Sequence, residues 1–542
     1  MTTLLFPGRH LVQTEFQHAY LKRSLGEEPC RLRWYESENP DLSPIDTIVF
    51  AITSANRENS RYNSIPFHVR AIGVDRFART LQESASFNFR IIGIPHYPPT
   101  DKFAANILKE VAAQTEGSIS LAADNCAVLC STPEVITQFR DLGFSILPAE
   151  LEHKDEMTPI QVVKHFVGVV DDWQSDETLN ASMSRSTREL WRDFPDVPRR
   201  IFRLWNDPLL NDEGSLTETR DYATYAYEMA NASVIQMKYD DIKAAITPGK
   251  IVDEGCADGA MLAKISRDYP DSDLIGIELT GEFMARCRER QRAGDFRGSF
   301  VHFYQRNILD DIFTAGSINT TICNSTIHEL WSYGEQQTTV DRYLKQKFDQ
   351  TSIGGRLVIR DVVGPANGDE LIHVWFNDEN GSNDVPNRKC SDAHDLKAHL
   401  TQLSTYGRFV RFTQDFLHER RATLARDDAA SLTFSEHERN GRRLVLANHR
   451  LVAEFMGKMD YLHNWQSEMH EEFAFWSFPE WCEAVQRAGF QVNHEVSRSY
   501  CNEWIVENRY RGRIELFRNL NGALTPVSYP ATNLVLVGEK LA

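Results

Sequence analysis

The chain of 542 residues is 42% hydrophobic, 25% charged and 11% aromatic. That exceeds the roughly 250 to 300 residues at which a single core stops growing, so at least two folded units are expected. Its 77 acidic against 59 basic side chains, a formal charge of −18, argue against nucleic acid as a partner, because affinity for a phosphate backbone needs clustered Lys and Arg. No run approaches the roughly 20 apolar residues of a membrane span, and nine scattered cysteines fit reduced thiols, which together predict a cytoplasmic protein without membrane, disulfide or metal cage.

The amino end reads as a first buried strand, "TLLFPG", rather than as a signal peptide. "DTIVFAITSA", "FNFRIIGIPHY" and "FSILPAEL" follow, separated by amphipathic text such as "KFAANILKEVAAQ". Alternation of this kind predicts an α/β domain with a parallel sheet over residues 1–165. Residues 166–215 are polar and show no sustained apolar period, and are expected to be a linker.

A second α/β domain is expected over 216–542. It opens on a helical stretch at 219–245 and runs through "KIVDEGC", "DLIGIEL", "SFVHFYQRN", "NTTICNST", "GRLVIRDVV", "FQVNHEVSR" and "TNLVLVGEK". These are seven strands, the last two an antiparallel pair at the sheet edge. The insertion at 364–476 is far longer than an ordinary connection and predicts a helical lid over an acceptor pocket.

The first strand of this series runs straight into a turn, Asp253-Glu254-Gly255-Cys256-Ala257-Asp258-Gly259, small enough for its backbone to approach a ligand. Glu278 ends the next strand, nineteen residues after Gly259, where a carboxylate can accept from both hydroxyls of a ribose. The acids of the turn, Asp253, Glu254 and Asp258, would repel a diphosphate but could hold an ammonium and a sulfonium. On these residues the chain resembles the class I S-adenosylmethionine-dependent methyltransferases over roughly 216–542. The resemblance implies S-adenosyl-L-methionine as cofactor, with Asp253, Gly255 and Gly259 along its methionine part, Glu278 at the ribose and Asn307 near the adenine amine. Ala257 departs from the family's second glycine and suggests a tighter loop.

"NSTIHELWSYG" follows the fourth strand, at the rim where that family places acceptor-facing residues, so His328 and Glu329 are candidate general bases. "MDYLHNWQSEMHEEFAFW" predicts a polar acceptor rim with His470 and Glu471, and Arg498 or Arg509 could meet an acidic acceptor.

"FPGRHLVQTEFQHAYL" and "ITSANRENSRYNSIPFHVR" resemble the HIGH-type nucleotidyltransferases, most of all the nicotinamide-nucleotide adenylyltransferases, over about 160 residues. The resemblance implies a nucleotide site on Gly8, Arg9, His18, Ser54 and Arg70. Where that family has H-x-G-H this chain has Glu15-Phe16-Gln17-His18, and a carboxylate there opposes a triphosphate. The expected function is methyl transfer from S-adenosylmethionine to a small-molecule acceptor by two Rossmann-like domains, the leading one binding a nucleotide. A bifunctional nucleotidyltransferase/methyltransferase and a non-catalytic nucleotide-sensing or docking protein are the alternatives.

Overall fold

A computed structural model describes residues 2–36, 42–152, 155–212, 214–215, 232–296, 301–385, 393–418 and 432–541. The chain divides into two units, Met1–Ser215 and Leu216–Ala542.

In the first unit β1 (Thr2–Gly8), β2 (Ile45–Ile52), β3 (Asn88–Gly93), β4 (Cys126–Leu129) and β5 (Ser145–Leu147) form a parallel sheet in the order β3-β2-β1-β4-β5. Helices cover both faces, so adjacent residues are buried in opposite directions: Leu4 and Phe50 meet Phe77 on one side, Leu5 and Val49 meet Ile107 on the other. The sequence reading missed β4. Its run "CAVL" is too short for a period to show, and Cys126 within it and Cys130 just after it are buried thiols that burial pushes up to about 12 and about 11.

The expected linker is a correction. Within 166–215 lie the end of helix Pro159–Gly168 and the helices Glu177–Ser182, Arg185–Asp193 and Asp196–Trp205. Their Phe166, Leu190, Trp191 and Ile201 pack with Leu11, Val12 and Ile65 in one core. Each helix is short and buries only a few residues, so no apolar period is sustained. Their N-termini are capped by side chains: Asp176 accepts from Leu179 N at 2.8 Å and Ser184 from Thr187 N at 3.3 Å.

In the second unit the strands in chain order are β6 (Lys250–Glu254), β7 (Asp273–Glu278), β8 (Val301–Gln305), β9 (Ile318–Asn324), β10 (Thr351–Val362), β11 (Leu371–Phe376), β12 (Phe434–Arg439), β13 (Arg442–Asn448), β14 (Gln491–Val492), β15 (Arg498–Tyr500), β16 (Ile514–Leu520), β17 (Ala523–Val527) and β18 (Asn533–Glu539). The main sheet runs β14-β18-β10-β9-β6-β7-β8, with β15 also on β18. Strands β6 to β10 are parallel, and β18 is antiparallel to β10, β14 and β15. The strand order reverses between β6 and β9, which places a ligand crevice at their carboxyl ends. Of the helical stretch expected at 219–245, Ala232–Ile242 is a helix and residues 219–231 lie outside the described residues.

The fold class expected from the sequence holds, but the insertion is not a purely helical lid. It forms an antiparallel sheet, β12-β13-β11-β16-β17, which also recruits two strands from beyond 476. Helices Thr405–Asp415 and His449–Lys458 pack on it through an aromatic core in which Phe376 stacks on Phe409 at 4.5 Å and meets Phe455 at 5.2 Å.

Candidate active site

The turn after β6 takes three left-handed residues, Gly255 (φ 71°), Ala257 (φ 47°) and Gly259 (φ 78°). Packing restricts Gly255 as well, since a Cβ there would stand 2.5 Å from Thr326 Oγ1. Ala257 holds the strained conformation with a side chain present, and its N–H donates to Glu278 Oε2 at 3.0 Å. The other Glu278 oxygen accepts from Thr280 N and Oγ1 at 2.9 and 3.1 Å. Burial outweighs these bonds and pushes the Glu278 carboxyl up to about 7, helped by the charge of Glu329.

The acids of the turn part company. Asp253 is buried and its Oδ2 has no partner among the described residues; burial first, then the charges of Glu254 and Glu278, push it up to about 7. Glu254 faces the opposite side of the strand, where Lys347 Nζ and Tyr343 OH donate to it at 2.6 and 2.7 Å. Asp258 pairs with Arg290 and accepts from Ala260 N at 3.0 Å. Glu254 and Asp258 are thus paired within the chain, which corrects the reading of three acids open to a cation. Asn307, buried just past β8, shapes its own turn by accepting from Leu309 N at 3.0 Å.

The sequence reading missed Lys238. It lies on helix Ala232–Ile242 in the buried stripe Ile235, Lys238, Tyr239, Ile242, and a lysine on such a stripe was the available signal. Its Nζ donates to Ser325 Oγ at 3.3 Å, and Asp361 and Asp253 act on it through charge without a hydrogen bond among the described residues. Burial, then the charge of Arg360, brings this ammonium down to about 8 against the pull of Asp361 and Asp253. A buried ammonium and a buried carboxylate, each short of partners and each within the other's field, are complementary to the two ends of an amino-acid zwitterion.

Helix Ile327–Tyr333 follows β9, and Asp361 near the end of β10 binds its first turn. Asp361 Oδ2 accepts from Ile327 N at 2.8 Å and Thr326 N at 3.2 Å, and its Oδ1 lies 2.7 Å from His328 Nδ1. Glu471 approaches from the insertion, with Oε2 3.6 Å from His328 Nε2 and Tyr333 OH donating to Oε1 at 3.2 Å. The loop bearing it is clamped by helix His449–Lys458: Glu454 accepts from Phe473 N and Ala474 N at 2.8 and 2.6 Å, and Lys458 donates to the Glu471 carbonyl.

Burial opposes charge on His328, but Asp361 and Glu471 outweigh it and raise the imidazole to about 9. A proton on His328 is therefore favoured at neutral pH by its two carboxylate neighbours. Asp361 is kept below its ordinary value despite burial, because His328 and the backbone N–H groups favour its charged form. Ligand atoms of His328, Glu329 and Glu471 lie within 4.8 Å of one another, a set that could take a divalent cation only by displacing the Nε2 proton, and one the sequence did not suggest.

The remaining expected residues are divided. His470 is half-buried beside Glu471 on the same loop; the segment 459–476 is helical only at Trp465–Glu468. Arg498 is exposed on edge strand β15, 3.5 Å from Asp241 Oδ1.

In the first unit a cavity of about 350 Å³ opens at the carboxyl ends of β1 and β4. Gly8 and Arg9 line it together with His10, Gln17, Tyr62 and Glu150. His18, Ser54 and Arg70 do not. His18 is one helical step past Gln17 and packs on Phe77 at 5.7 Å, and Ser54 Oγ lies 3.0 Å from His96 Nδ1. Arg70 donates to the carbonyls of Arg9, Thr53 and Ser54 at 2.8 to 2.9 Å, which makes it a clamp on the loops after β1 and β2.

Residues 248–413 match a family model described as a methyltransferase domain. No curated protein matches the chain. Among solved structures it is similar to a SAM-dependent methyltransferase of Methanosarcina mazei (13% identity, 55% of this chain and 96% of that one, TM-score 0.28). It is also similar to a SAM-dependent methyltransferase of Thermotoga maritima (11%, 59% and 97%, 0.29) and to the YcgJ protein of Bacillus subtilis (13%, 56% and 98%, 0.27). The family match and the strand order, not these loose likenesses, carry the conclusion: the C-terminal unit holds a class I methyltransferase domain, the protein is an S-adenosylmethionine-dependent methyltransferase, and S-adenosyl-L-methionine is its cofactor.

Proposed function

We propose that the C-terminal unit methylates a small molecule, and that the N-terminal unit binds a nucleotide without transferring it. The first part rests on one convergence at the carboxyl ends of β6, β9 and β10. The partner-poor pair Asp253 and Lys238 stands beside the His328–Asp361–Glu471 array. The cofactor supplies an electrophilic methyl group on a sulfonium. Asp253 would receive its ammonium, Lys238 its carboxylate, Glu278 the ribose hydroxyls and Asn307 the adenine edge, along a turn kept open by Gly255 and Gly259.

Because His328 is protonated, Glu329 is the group left to accept a proton from the acceptor, while His328 and Asp361 hold Glu471 and the helix in place. Alignment of nucleophile and methyl group supplies most of the remaining acceleration. The charge of −18 favours a small molecule over nucleic acid as acceptor. Incubation of the full chain with methyl-labelled cofactor and a metabolite extract should give S-adenosylhomocysteine and a labelled small molecule. Glu329→Gln should slow turnover about 100-fold with S-adenosylhomocysteine affinity retained. Salt-sensitive methylation of RNA, or full activity in Glu329→Gln, would overturn this reading. Absence of any cofactor consumption would favour the sensing alternative.

For the N-terminal unit the support is the cavity at the sheet's crossover point, where Arg9 lies over the Tyr62 ring at 4.9 Å. Glu150 lines the same cavity, bonded by Gln17 at 2.8 Å, and puts an acid where a triphosphate would need a cation. Loss of one preorganised stabiliser costs about 3 kcal/mol of barrier. The protein should bind ATP through Arg9 and release no pyrophosphate; steady pyrophosphate release abolished by Arg9→Ala would favour the bifunctional alternative.

A further inference from the structure

We infer that the acceptor carries a carboxylate and that Arg509 receives it in a cavity beside the methyl-transfer centre, an inference that rests on the methyl-transfer reading above. The cavity, about 90 Å³, lies where β10 ends at Val362 and Val363 and where β18 begins at Asn533. One of its walls is Phe473, whose ring also meets the His328 imidazole edge-on at 5.0 Å. A molecule in this cavity is thus one aromatic ring away from the array that faces the cofactor turn.

The lining is mostly apolar, and Arg509 is its cation. Arg509 sits on a π-helical turn, Val506–Tyr510, a rare widening of the helix that recurs at functional sites. Its guanidinium lies over the rings of Tyr461 and Trp504 at 5.2 and 5.9 Å. No described carboxylate is within ion-pair distance of it, whereas three other arginines of the inserted sheet's helices and edge are ion-paired. Arg513 binds both oxygens of Asp460 at 2.9 and 3.0 Å, Arg408 binds Asp460 at 3.1 Å, and Arg411 binds Asp415 at 2.7 Å. Asp460, next to Tyr461 in the chain, is thereby committed elsewhere.

The Arg509 guanidinium is partly buried, framed by rings and hydrogen-bonded to Tyr461; with no carboxylate in direct contact, its remaining donors are open to an incoming carboxylate. The planar fork of Arg matches a carboxylate through two parallel bonds, and the flanking Tyr461 and Phe473 favour a flat or apolar body on that acid.

The test uses the full chain saturated with S-adenosylhomocysteine and titrated calorimetrically with benzoate and phenylacetate, and with benzamide and phenylacetamide as neutral counterparts. The acids should bind at least tenfold more tightly than the amides. Arg509→Met should abolish the difference, and Arg509→Lys should retain part of it, with S-adenosylhomocysteine affinity and melting temperature unchanged in both variants. Equal binding of acids and amides, no binding of either acid, or an acid preference that survives Arg509→Met would overturn the inference. Failure of S-adenosylhomocysteine itself to bind would count against the methyl-transfer reading, and the acid–amide contrast would still decide the role of Arg509.

Discussion

The Asp253–Lys238 pair makes a demanding prediction about pH. Asp253 is pushed up to about 7, so it is ionised, and able to hold an ammonium, only above that value; Glu278, also at about 7, reinforces the limb. Lys238 is brought down to about 8, so it is charged, and able to hold a carboxylate, only below that value. The affinity for S-adenosylhomocysteine should therefore be bell-shaped, greatest between about 7 and about 8, and fall up to tenfold for each pH unit outside that window, about 1.4 kcal/mol. Lys238→Met removes one charge-assisted contact, about 1.5 to 3 kcal/mol or roughly a 10- to 150-fold rise in Kd at the optimum. The same change should erase the alkaline limb and leave the acidic one, while Asp253→Asn should weaken the acidic limb. Calorimetry from pH 5.5 to 9.5 at constant ionic strength reads all three curves. An alkaline limb that persists in Lys238→Met would refute the assignment, as would a wild-type affinity that does not change with pH.

Ala257→Gly should relieve a left-handed residue and raise stability by about 1 kcal/mol, read as a higher melting temperature; a lower one would mean that its methyl group packs usefully. Lys347→Met should destabilise the protein by about 3 to 5 kcal/mol, because it strands the buried charge of Glu254, whereas the double change Glu254→Gln with Lys347→Met should recover most of the loss in denaturant unfolding. Asp361→Asn should loosen the first turn of helix Ile327–Tyr333 and lower the His328 pKa, seen as an upfield move of its imidazole titration in NMR, with turnover reduced at least tenfold and S-adenosylhomocysteine affinity little changed.

The sequence by itself determined whatever depends on near neighbours in the chain. The turn from Asp253 to Gly259 needs left-handed backbone, and glycines show where it occurs. Glu278 terminates its strand, and the run of strands from β6 to β10 followed by a short antiparallel edge specifies the main sheet. Tertiary structure decided which of those residues come together. Strand alternation gives Glu254 to Lys347 and leaves Asp253 Oδ2 without a partner among the described residues, although the two are adjacent in the text. Lys238, Asp361 and Glu471 come from three distant segments, and only the packed sheet and the clamp by Glu454 and Lys458 bring them to one crevice. The helices read as a linker and the antiparallel sheet read as a helical lid were obscured for the same reason. Their apolar faces are short and are completed by residues remote in sequence, Leu11 and Ile65 in one case and β16 in the other, so no local period records them.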